Sequence, residues 1–236
     1  MKRRRFIEST LVAGAGAAIG AGRTARAAGS DRPWILPTDM PDRFHLKVMA
    51  FNPIPSPDLA RWELTIDGLA ERPLRLRIAD LERLPRITQS SRLKCVQCWS
   101  GRVQWEGFRG GELLRVARPK PEASWVRVEC ADRYFDYVKF EDLVHPRTLF
   151  AIGMNGERLS PEHGAPLRLV IPYKYGYRSS KLITKLTLSA TGGQGIVADA
   201  WPGYYSPTGE IEPGVDHPFD FPGETRKIAR GEIEGY

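Results

Sequence analysis

The sequence of 236 residues is poor in the side chains that build metal sites and disulfide frameworks, with three cysteines and four histidines. Because the cysteine count is odd, at least one thiol stays outside any intrachain disulfide. A chain of this length can bury a core without a disulfide framework. A structural zinc site normally uses two pairs of ligands, and neither a second Cys-x-x-Cys pair nor a closely spaced histidine pair is present.

Long hydrophobic runs are also missing. Residues 11–21 are apolar and small, but a membrane-spanning helix needs about 20 apolar residues. Residues 2–5 are basic and precede this run, and Ala25-Arg26-Ala27 follows it as an A-x-A cleavage pattern. Residues 3–7, RRRFI, also match the twin-arginine targeting pattern. We therefore predict a twin-arginine signal peptide over residues 1–27 and a periplasmic location, with a disordered basic tail as the alternative.

The excess of positive charge does not indicate a nucleic-acid partner. The formal net charge is +7, but residues 1–27 hold six Lys and Arg side chains against one acid. The rest of the chain carries 29 basic and 27 acidic side chains, a net charge of +2. Phosphate backbones are bound through clustered positive charge, so we expect no nucleic-acid partner.

Hydrophobic patterning predicts a single mixed α+β domain in which strands outnumber short helices. Alternating or continuous apolar residues predict strands near residues 62–66, 74–78, 125–130, 149–152, 167–171 and 182–188. Short helical patterns occur at residues 80–84, 112–117 and 140–144. The dipeptide Asn155-Gly156 predicts a tight turn.

Composition divides the chain into four predicted segments. The signal peptide at 1–27 is followed by a proline-rich arm, 28–57, which we expect to be extended. The domain core is predicted over residues 58–190. Gly, Pro and aromatic residues dominate residues 191–236, where we expect a coil that packs on the domain.

The stretch KCVQCWSGRVQWEGF, residues 94–108, contains two of the cysteines. A redox dithiol would require the first cysteine at a helix N-terminus, and no helical periodicity follows Cys98. Zinc lacks its other ligands. Spacing alone closes none of the interpretations. Besides the dithiol and zinc, the cysteines could be buried structural residues, or one thiolate could bind a soft or high-valent metal whose other ligands come from a cofactor.

Three stretches carry a resemblance to a known family: CVQCWSGRVQWEGF, LVHPRTLFAIGMNGERLSPEHGAPLRLVIPYKYGYRSSKLITKL and YYSPTGEIEPGVDHP. They resemble the sulfite-oxidase-type molybdopterin-dependent oxidoreductases and, within them, the branch of periplasmic protein-methionine-sulfoxide reductases. The resemblance implies a sulfite-oxidase-like molybdopterin-binding fold with mixed β-sheets and short helices. It also implies a molybdenum-molybdopterin cofactor, which would carry the difficult chemistry while the protein supplies position and electrostatics.

Family motifs imply roles for individual residues. Cys95 falls at the position of the metal ligand and is the implied catalytic residue. Further positions match cofactor contacts, and Lys174 and Arg178 add positive charge in the same motif. The implied cofactor-binding residues are Asn52, Cys95, Cys130, His163, Arg168, Ser179, Ser180 and Lys181. A turn residue at Asn52, a merely buried Cys130 and a solvated basic face are the alternatives.

The resemblance implies oxygen-atom transfer that reduces sulfoxides such as protein methionine sulfoxide, with a membrane haem protein or cytochrome as electron partner. Cys98, Tyr173 and His163 depart from the reductase branch and leave the substrate open. One alternative is a sulfite-oxidase-like enzyme that passes electrons to a cytochrome, for which Arg92 and Arg102 are candidate anion ligands. Another is a non-catalytic dithiol redox carrier.

Overall fold

The computed structural model describes residues 46, 48, 50, 52–95, 100–200, 202, 205–211, 214–216 and 226–228. All of them belong to one compact unit, Pro33–Tyr236. The predicted signal peptide and most of the predicted arm lie outside the described residues. None of the helices in the described ranges is both long enough and apolar enough to cross a membrane.

Twelve short strands and four short helices make up the regular structure of the described residues. The strands are β1 Leu64–Gly68, β2 Leu74–Leu76, β3 Ile87–Lys94, β4 Ser100–Arg109, β5 Trp125–Cys130, β6 Phe135–Lys139, β7 Leu149–Met154, β8 Glu157–Arg158, β9 Arg168–Val170, β10 Ile183–Ser189, β11 Gly214–Asp216 and β12 Arg226–Ile228. The helices are α1 Ile78–Leu81, α2 Gly110–Ala117, α3 Phe140–Val144 and α4 Ile196–Ala200. Two 3₁₀ turns, Pro161–His163 and Gly176–Arg178, flank β9.

The first sheet has five strands in the order β2-β1-β10-β5-β6. Strands β1 and β10 are parallel, and the other neighbours are antiparallel. Alternate residues of β5 are buried, which is the pattern of a strand with one face on the core. The main hydrophobic cluster lies against this face and includes Leu64, Val128, Leu167 and Leu186.

The second sheet has the order β3-β4-β7-β8, and β9 pairs with β7 on the same sheet. Strand β4 bulges between Glu106 and Gly107 where it meets β7. A Cβ at Gly107 would lie within bonding range of the Phe150 carbonyl oxygen, so the close approach of the two strands requires glycine. A smaller cluster around Leu93, Val103 and Trp105 fills one face of this sheet.

The mixed fold predicted from hydrophobic patterning is confirmed. Helices α2 and α3 and the antiparallel pair β1–β2 lie where the patterns placed them. Asn155 and Gly156 both have positive φ and form the turn between β7 and β8. The sequence did not predict β3 and β4. The expectation of coil after residue 191 needs a correction, because the segment contains α4 and the antiparallel pair β11–β12. Helix α4 buries the side chain of Val197.

Candidate cofactor-binding site

Cys95 directly follows strand β3, at the end of the β3–β4 hairpin. Its side chain is half-buried and packs against the small cluster that contains Trp105. The preceding residue, Lys94, forms a parallel bridge with Tyr175. The hairpin and this bridge therefore fix Cys95 between the second sheet and the loop that follows β9.

Arg168 is the first residue of β9 and has only 4% of its surface exposed. Its guanidinium lies over the Trp105 ring at 4.7 Å and donates from Nη1 to the carbonyl oxygen of His163 at 2.9 Å. The Nε atom is buried without a hydrogen-bond partner, and no described carboxylate forms an ion pair with Arg168. Burial lowers the pKa of Arg168 to about 9. A buried cation of this kind is costly unless an anion joins it.

Lys181 lies beside Arg168 because glycine separates them. A Cβ at Gly164 would come within 2.9 Å of the Lys181 Cβ and 3.0 Å of the Arg168 Cβ. Lys181 donates to the Glu162 carbonyl oxygen at 2.8 Å. Burial, followed by the charge of Arg168, lowers the pKa of Lys181 to about 8. Arg168 is buried and Lys181 is half-buried, and the two cations are held close to each other.

His163 ends the 3₁₀ turn next to this pair of cations. Burial lowers the pKa of His163, and the charges of Arg168 and Lys181 lower it further. The imidazole is therefore neutral at pH 7 and offers one donor and one acceptor nitrogen. A neutral side chain at this position avoids a third positive charge in the same place.

The two serines before Lys181 are both buried and differ in their hydrogen bonds. Ser179 Oγ accepts a hydrogen bond from the backbone N–H of Ile171 at 3.0 Å, which is a structural role. Ser180 Oγ faces the Cys130 thiol but makes no hydrogen bond of standard geometry. The Ser180 hydroxyl is thus a second buried polar group beside the cations that lacks a hydrogen-bond partner.

Cys130 ends β5, and its free thiol is buried. Burial and the neighbouring carboxylates of Asp132 and Asp136 raise its pKa, so the group is a neutral thiol. Asn52 donates from Nδ2 to the carbonyl oxygen of Asp132 at 2.8 Å. The Asp132 carboxylate raises the pKa of Lys181, against the larger lowering by burial and by Arg168. The structure therefore brings Asn52 and the Cys130 turn next to the cations.

Lys174 and Arg178, which the sequence grouped with these cations, have other partners. Lys174 lies between carboxylate oxygens of Asp142 and Glu210, each at 3.4 Å from Nζ. Arg178 donates to both carboxylate oxygens of Asp136, at 2.8 and 3.0 Å. Their charges are neutralised inside the protein, so the expectation that they add free positive charge at the site is wrong.

Arg92 and Arg102 also require a correction. They pair directly across β3 and β4, and both are buried rather than solvated in a glycine loop. Successive residues of a strand point to opposite faces. Leu93 and Val103 belong to the cluster on which Cys95 packs, so Arg92 and Arg102 project from the opposite face of the hairpin. This arrangement does not place them beside the Cys95 thiol.

The buried groups around Arg168 fit a ligand with an anionic phosphate and hydrogen-bonding edges. Arg168 Nε and Ser180 Oγ lack partners, Arg168 lacks a carboxylate, and Cys95 supplies a half-buried thiol nearby. Arginine binds phosphate well because its guanidinium can donate two parallel hydrogen bonds. Among the described residues, no three His, Cys, Asp or Glu side chains meet as a metal-ligand group.

Comparison with known proteins agrees with this chemistry. Residues 51–197 match the family described as the oxidoreductase molybdopterin binding domain. The matched range contains every one of the proposed cofactor contacts. The chain therefore belongs to the family of molybdopterin-binding oxidoreductases, and it has their sulfite-oxidase-like fold.

Two individual proteins are similar to this chain over about two thirds of its length. The chain is 32% identical over 174 residues to the protein-methionine-sulfoxide reductase catalytic subunit MsrP of Campylobacter jejuni, covering 66% of this chain and 59% of that protein. It is 33% identical over 190 residues to MsrP of Gluconobacter oxydans, covering 71% and 58%. The chain thus matches less than two thirds of the length of either relative.

A solved structure supports the fold. The sulfane dehydrogenase SoxCD from Paracoccus pantotrophus matches with a TM-score of 0.58 and 25% identity, covering 74% of this chain and 46% of that chain. The chain is similar to these proteins, and the reactions in their names are properties of those proteins.

Sequence reasoning missed two residues that shape the site. Trp105 supports the Arg168 guanidinium, and Gly164 lets Lys181 approach it. Trp105 lies in the quoted cysteine stretch, but no sequence signal links it to an arginine 63 positions later. Gly164 follows the candidate His163, and a glycine after a short helical turn is a signal that the sequence offers. In the structure Gly164 caps the 3₁₀ turn with a φ of 105°.

Proposed function

We propose that this protein is a periplasmic molybdenum-molybdopterin oxidoreductase that transfers oxygen atoms and reduces sulfoxides, including methionine sulfoxide in proteins. A membrane haem protein or a cytochrome would supply the electrons, and the twin-arginine translocase would export the folded enzyme. The similarity to two MsrP catalytic subunits supports the substrate class.

The observation that carries the proposal is the buried, carboxylate-free Arg168 beside Lys181. Burying one cation beside a second, half-buried cation is unfavourable in a protein without a ligand. An anionic cofactor group removes this cost, since it pairs with both cations in a water-poor site. A solvated basic face, the alternative reading, does not bury its arginine to 4% exposure.

Each side chain has a definite role in this proposal. Arg168 and Lys181 bind the phosphate, and Trp105 orients the Arg168 guanidinium from its other face. Ser180 and the neutral His163 offer hydrogen bonds to the cofactor's polar edges. Cys95 binds the metal as a thiolate, because metal coordination deprotonates a thiol. When bound, the cofactor supplies the oxygen-atom transfer.

The segments of the chain keep their predicted roles in this proposal. Residues 1–27 act as the export signal and residues 28–57 as an arm. Residues 58–190 form the cofactor-binding core, and residues 191–236 pack on it.

Two activity assays separate the substrate classes. We expect the protein, purified from a host that makes molybdopterin, to reduce methionine sulfoxide with a reduced dye as electron donor. Cys95→Ser should abolish this activity, whereas Cys98→Ser, the substitution of the neighbouring thiol, should retain most of it. Oxidation of sulfite without sulfoxide reduction would overturn the substrate proposal and favour the sulfite-oxidase alternative.

A further inference from the structure

Arg178 joins two parts of the chain that are far apart in sequence. On one side, its Nη1 donates to both Asp136 carboxylate oxygens and to the Tyr137 carbonyl oxygen at 2.9 Å. On the other side, its Nη2 donates to the carbonyl oxygens of Ser206 and Pro207 at 3.0 and 2.7 Å. One buried guanidinium thus holds strand β6 and residues 205–211, here called the C-terminal strap.

Aromatic rings enclose the same guanidinium. It lies 5.3 Å from the ring centres of both Tyr177 and Tyr205, and these two rings are 6.0 Å apart. The Tyr177 hydroxyl donates to the Ser206 carbonyl oxygen and accepts from the Ser206 N–H, both at 3.0 Å. The strap is therefore fastened to residues 177 and 178 by hydrogen bonds and by ring contacts.

The strap also closes tightly on Arg178 through a glycine. Gly209 has a φ of 67°, and a Cβ there would approach Arg178 Cγ and Nε to 2.7 Å. The Gly209 carbonyl oxygen accepts from the Tyr175 N–H at 2.7 Å. Strap and loop therefore fit together only while position 209 lacks a side chain.

The loop that the strap holds is the one that bears the proposed cofactor contacts. Residues 175–178 form the 3₁₀ turn and its cap, and Ser180 and Lys181 follow within three residues of Arg178. Tyr175 forms the bridge to Lys94, the neighbour of Cys95. A shift of the turn at residues 176–178 would therefore displace both the Lys181 side and the Cys95 side of the site.

The geometry points to Arg178 as a positioning residue that latches the C-terminal strap onto residues 175–181 and thereby retains the cofactor. The inference rests on the proposed cofactor binding and adds a role for the C-terminal strap, which contains none of the proposed cofactor contacts. Arg178 is not one of the proposed cofactor contacts, because its two terminal nitrogens donate to Asp136 and to backbone oxygens and its buried Nε, which has no hydrogen-bond partner, lies against Gly209 of the strap.

Hydrogen exchange of the full-length protein tests the latch directly. In the cofactor-free protein, we expect Arg178→Gln to speed amide exchange by about tenfold both in residues 205–211 and in residues 175–181. Arg127→Gln is the matched control, since Arg127 lies over Phe135 and Tyr137 on the adjacent strand but does not contact the strap. It should leave both segments unchanged.

A second variant keeps the test decisive if Arg178→Gln fails to fold. Gly209→Ala forces the strap away from Arg178 while the charge pair with Asp136 remains. Gly156→Ala is its control, because Gly156 has a φ of 84° and open space around its Cβ. Both substitutions carry a similar backbone cost. Only Gly209→Ala should speed exchange in the two segments.

Cofactor retention provides the second measurement. In the loaded protein, we expect Arg178→Gln and Gly209→Ala to release pterin about tenfold faster than the wild type, as followed by pterin fluorescence. Unchanged exchange, or faster exchange confined to residues 205–211, would overturn the latch. A wild type that never carries pterin would instead overturn the proposed function, while exchange in residues 175–181 would still decide whether Arg178 positions that loop.

Discussion

Arg168 and Arg178 lie ten residues apart in the same stretch of chain, and each has 4% of its surface exposed. Arg178 pairs with the buried Asp136 carboxylate. Its two terminal nitrogens donate four hydrogen bonds of 3.0 Å or less, one to an Asp136 oxygen and three to backbone oxygens, and the second Asp136 oxygen accepts as well. Arg168 has one backbone oxygen and an aromatic ring, and no described carboxylate pairs with it. The Nε atom is buried without a partner in both arginines, so the difference lies at the terminal nitrogens. The comparison shows how a structural arginine differs from one that is reserved for a ligand.

The electrostatic consequence differs between the two arginines. Burial lowers the pKa of Arg178, but the Asp136 carboxylate together with Tyr205 and Tyr177 outweighs burial, so the net shift is upward. Burial alone acts on Arg168 and lowers its pKa to about 9. In the protein without its ligand, the charge of Arg178 is therefore stabilised and that of Arg168 is tolerated at a cost.

The largest expected effect is the loss of Arg178. Arg178→Gln leaves the buried Asp136 carboxylate unpaired, and breaking such a pair costs about 3–5 kcal/mol. Chemical denaturation of the cofactor-free protein at pH 7 should show this loss. Arg127→Gln should lose less than about 1 kcal/mol, because the ion pair of Arg127 with Glu129 at 3.0 Å is partly exposed. Equal losses in the two variants would mean that Arg178 is not a special structural cation.

The cost of Arg178→Gln should also depend on pH. Burial, opposed by Arg178, raises the pKa of Asp136 from 3.8 to about 6. Because the folded pKa lies above the unfolded one, the contribution of Asp136 to stability is greatest below about pH 4 and falls as pH rises through 6. Without Arg178 this pKa rises further, so the carboxyl is neutral at pH 5 and the variant loses less stability there than at pH 7. Asp136→Asn should remove this pH dependence.

Loss of Arg168 should have the opposite profile. Arg168→Gln removes a buried charge without a carboxylate partner, so the cofactor-free protein should be as stable as the wild type or more stable. Cofactor binding should weaken by about 1.5–3 kcal/mol, the size of a charge-assisted hydrogen bond. Denaturation of the free protein and pterin content after dialysis measure the two effects. A free protein destabilised as strongly as Arg178→Gln would remove the distinction between the arginines.

A smaller effect is expected from the ring beneath Arg168. Trp105→Phe keeps an aromatic ring in the core but weakens the cation–π contact, which contributes about 0.5–2 kcal/mol. Pterin affinity should fall by a few-fold. In the Arg168→Gln background, Trp105→Phe should cause no further loss of pterin affinity. An additive effect in the double variant would show that Trp105 acts on the cofactor independently of Arg168.

The smallest effect concerns a simple anion. Inorganic phosphate should stabilise the cofactor-free wild type by about 1 kcal/mol when its concentration is several times its dissociation constant. Arg168→Gln should lose this stabilisation, whereas Arg127→Gln should keep it. Phosphate stabilisation that persists in Arg168→Gln would place the anion elsewhere.

Sequence patterns predicted the parts of the fold that have one buried face. Strand β5 alternates buried and half-buried residues, and its period of two was readable. Strand β3 was not readable, because Gln89, Arg92 and Lys94 are buried polar residues on a strand with little exposure on either face. Only the tertiary fold supplies the environment that makes such residues acceptable inside.

The site was predictable to a similar extent. The family motif brought Arg168, Ser180 and Lys181 into one hypothesis, and the structure places them together. The same motif also grouped Arg178 with them, because a sequence does not show that Asp136, 42 positions earlier, neutralises it. The difference between the two arginines is a property of long-range partners.

Metal and pterin content per chain test the central claim most directly. Wild-type protein from a molybdopterin-producing host should contain close to one molybdenum and one pterin per chain, and Cys98→Ser should match it. Cys95→Ser should lose molybdenum while it retains the fold, and Arg168→Gln should lose pterin and metal together. Wild-type protein that repeatedly lacks both molybdenum and pterin would contradict the account.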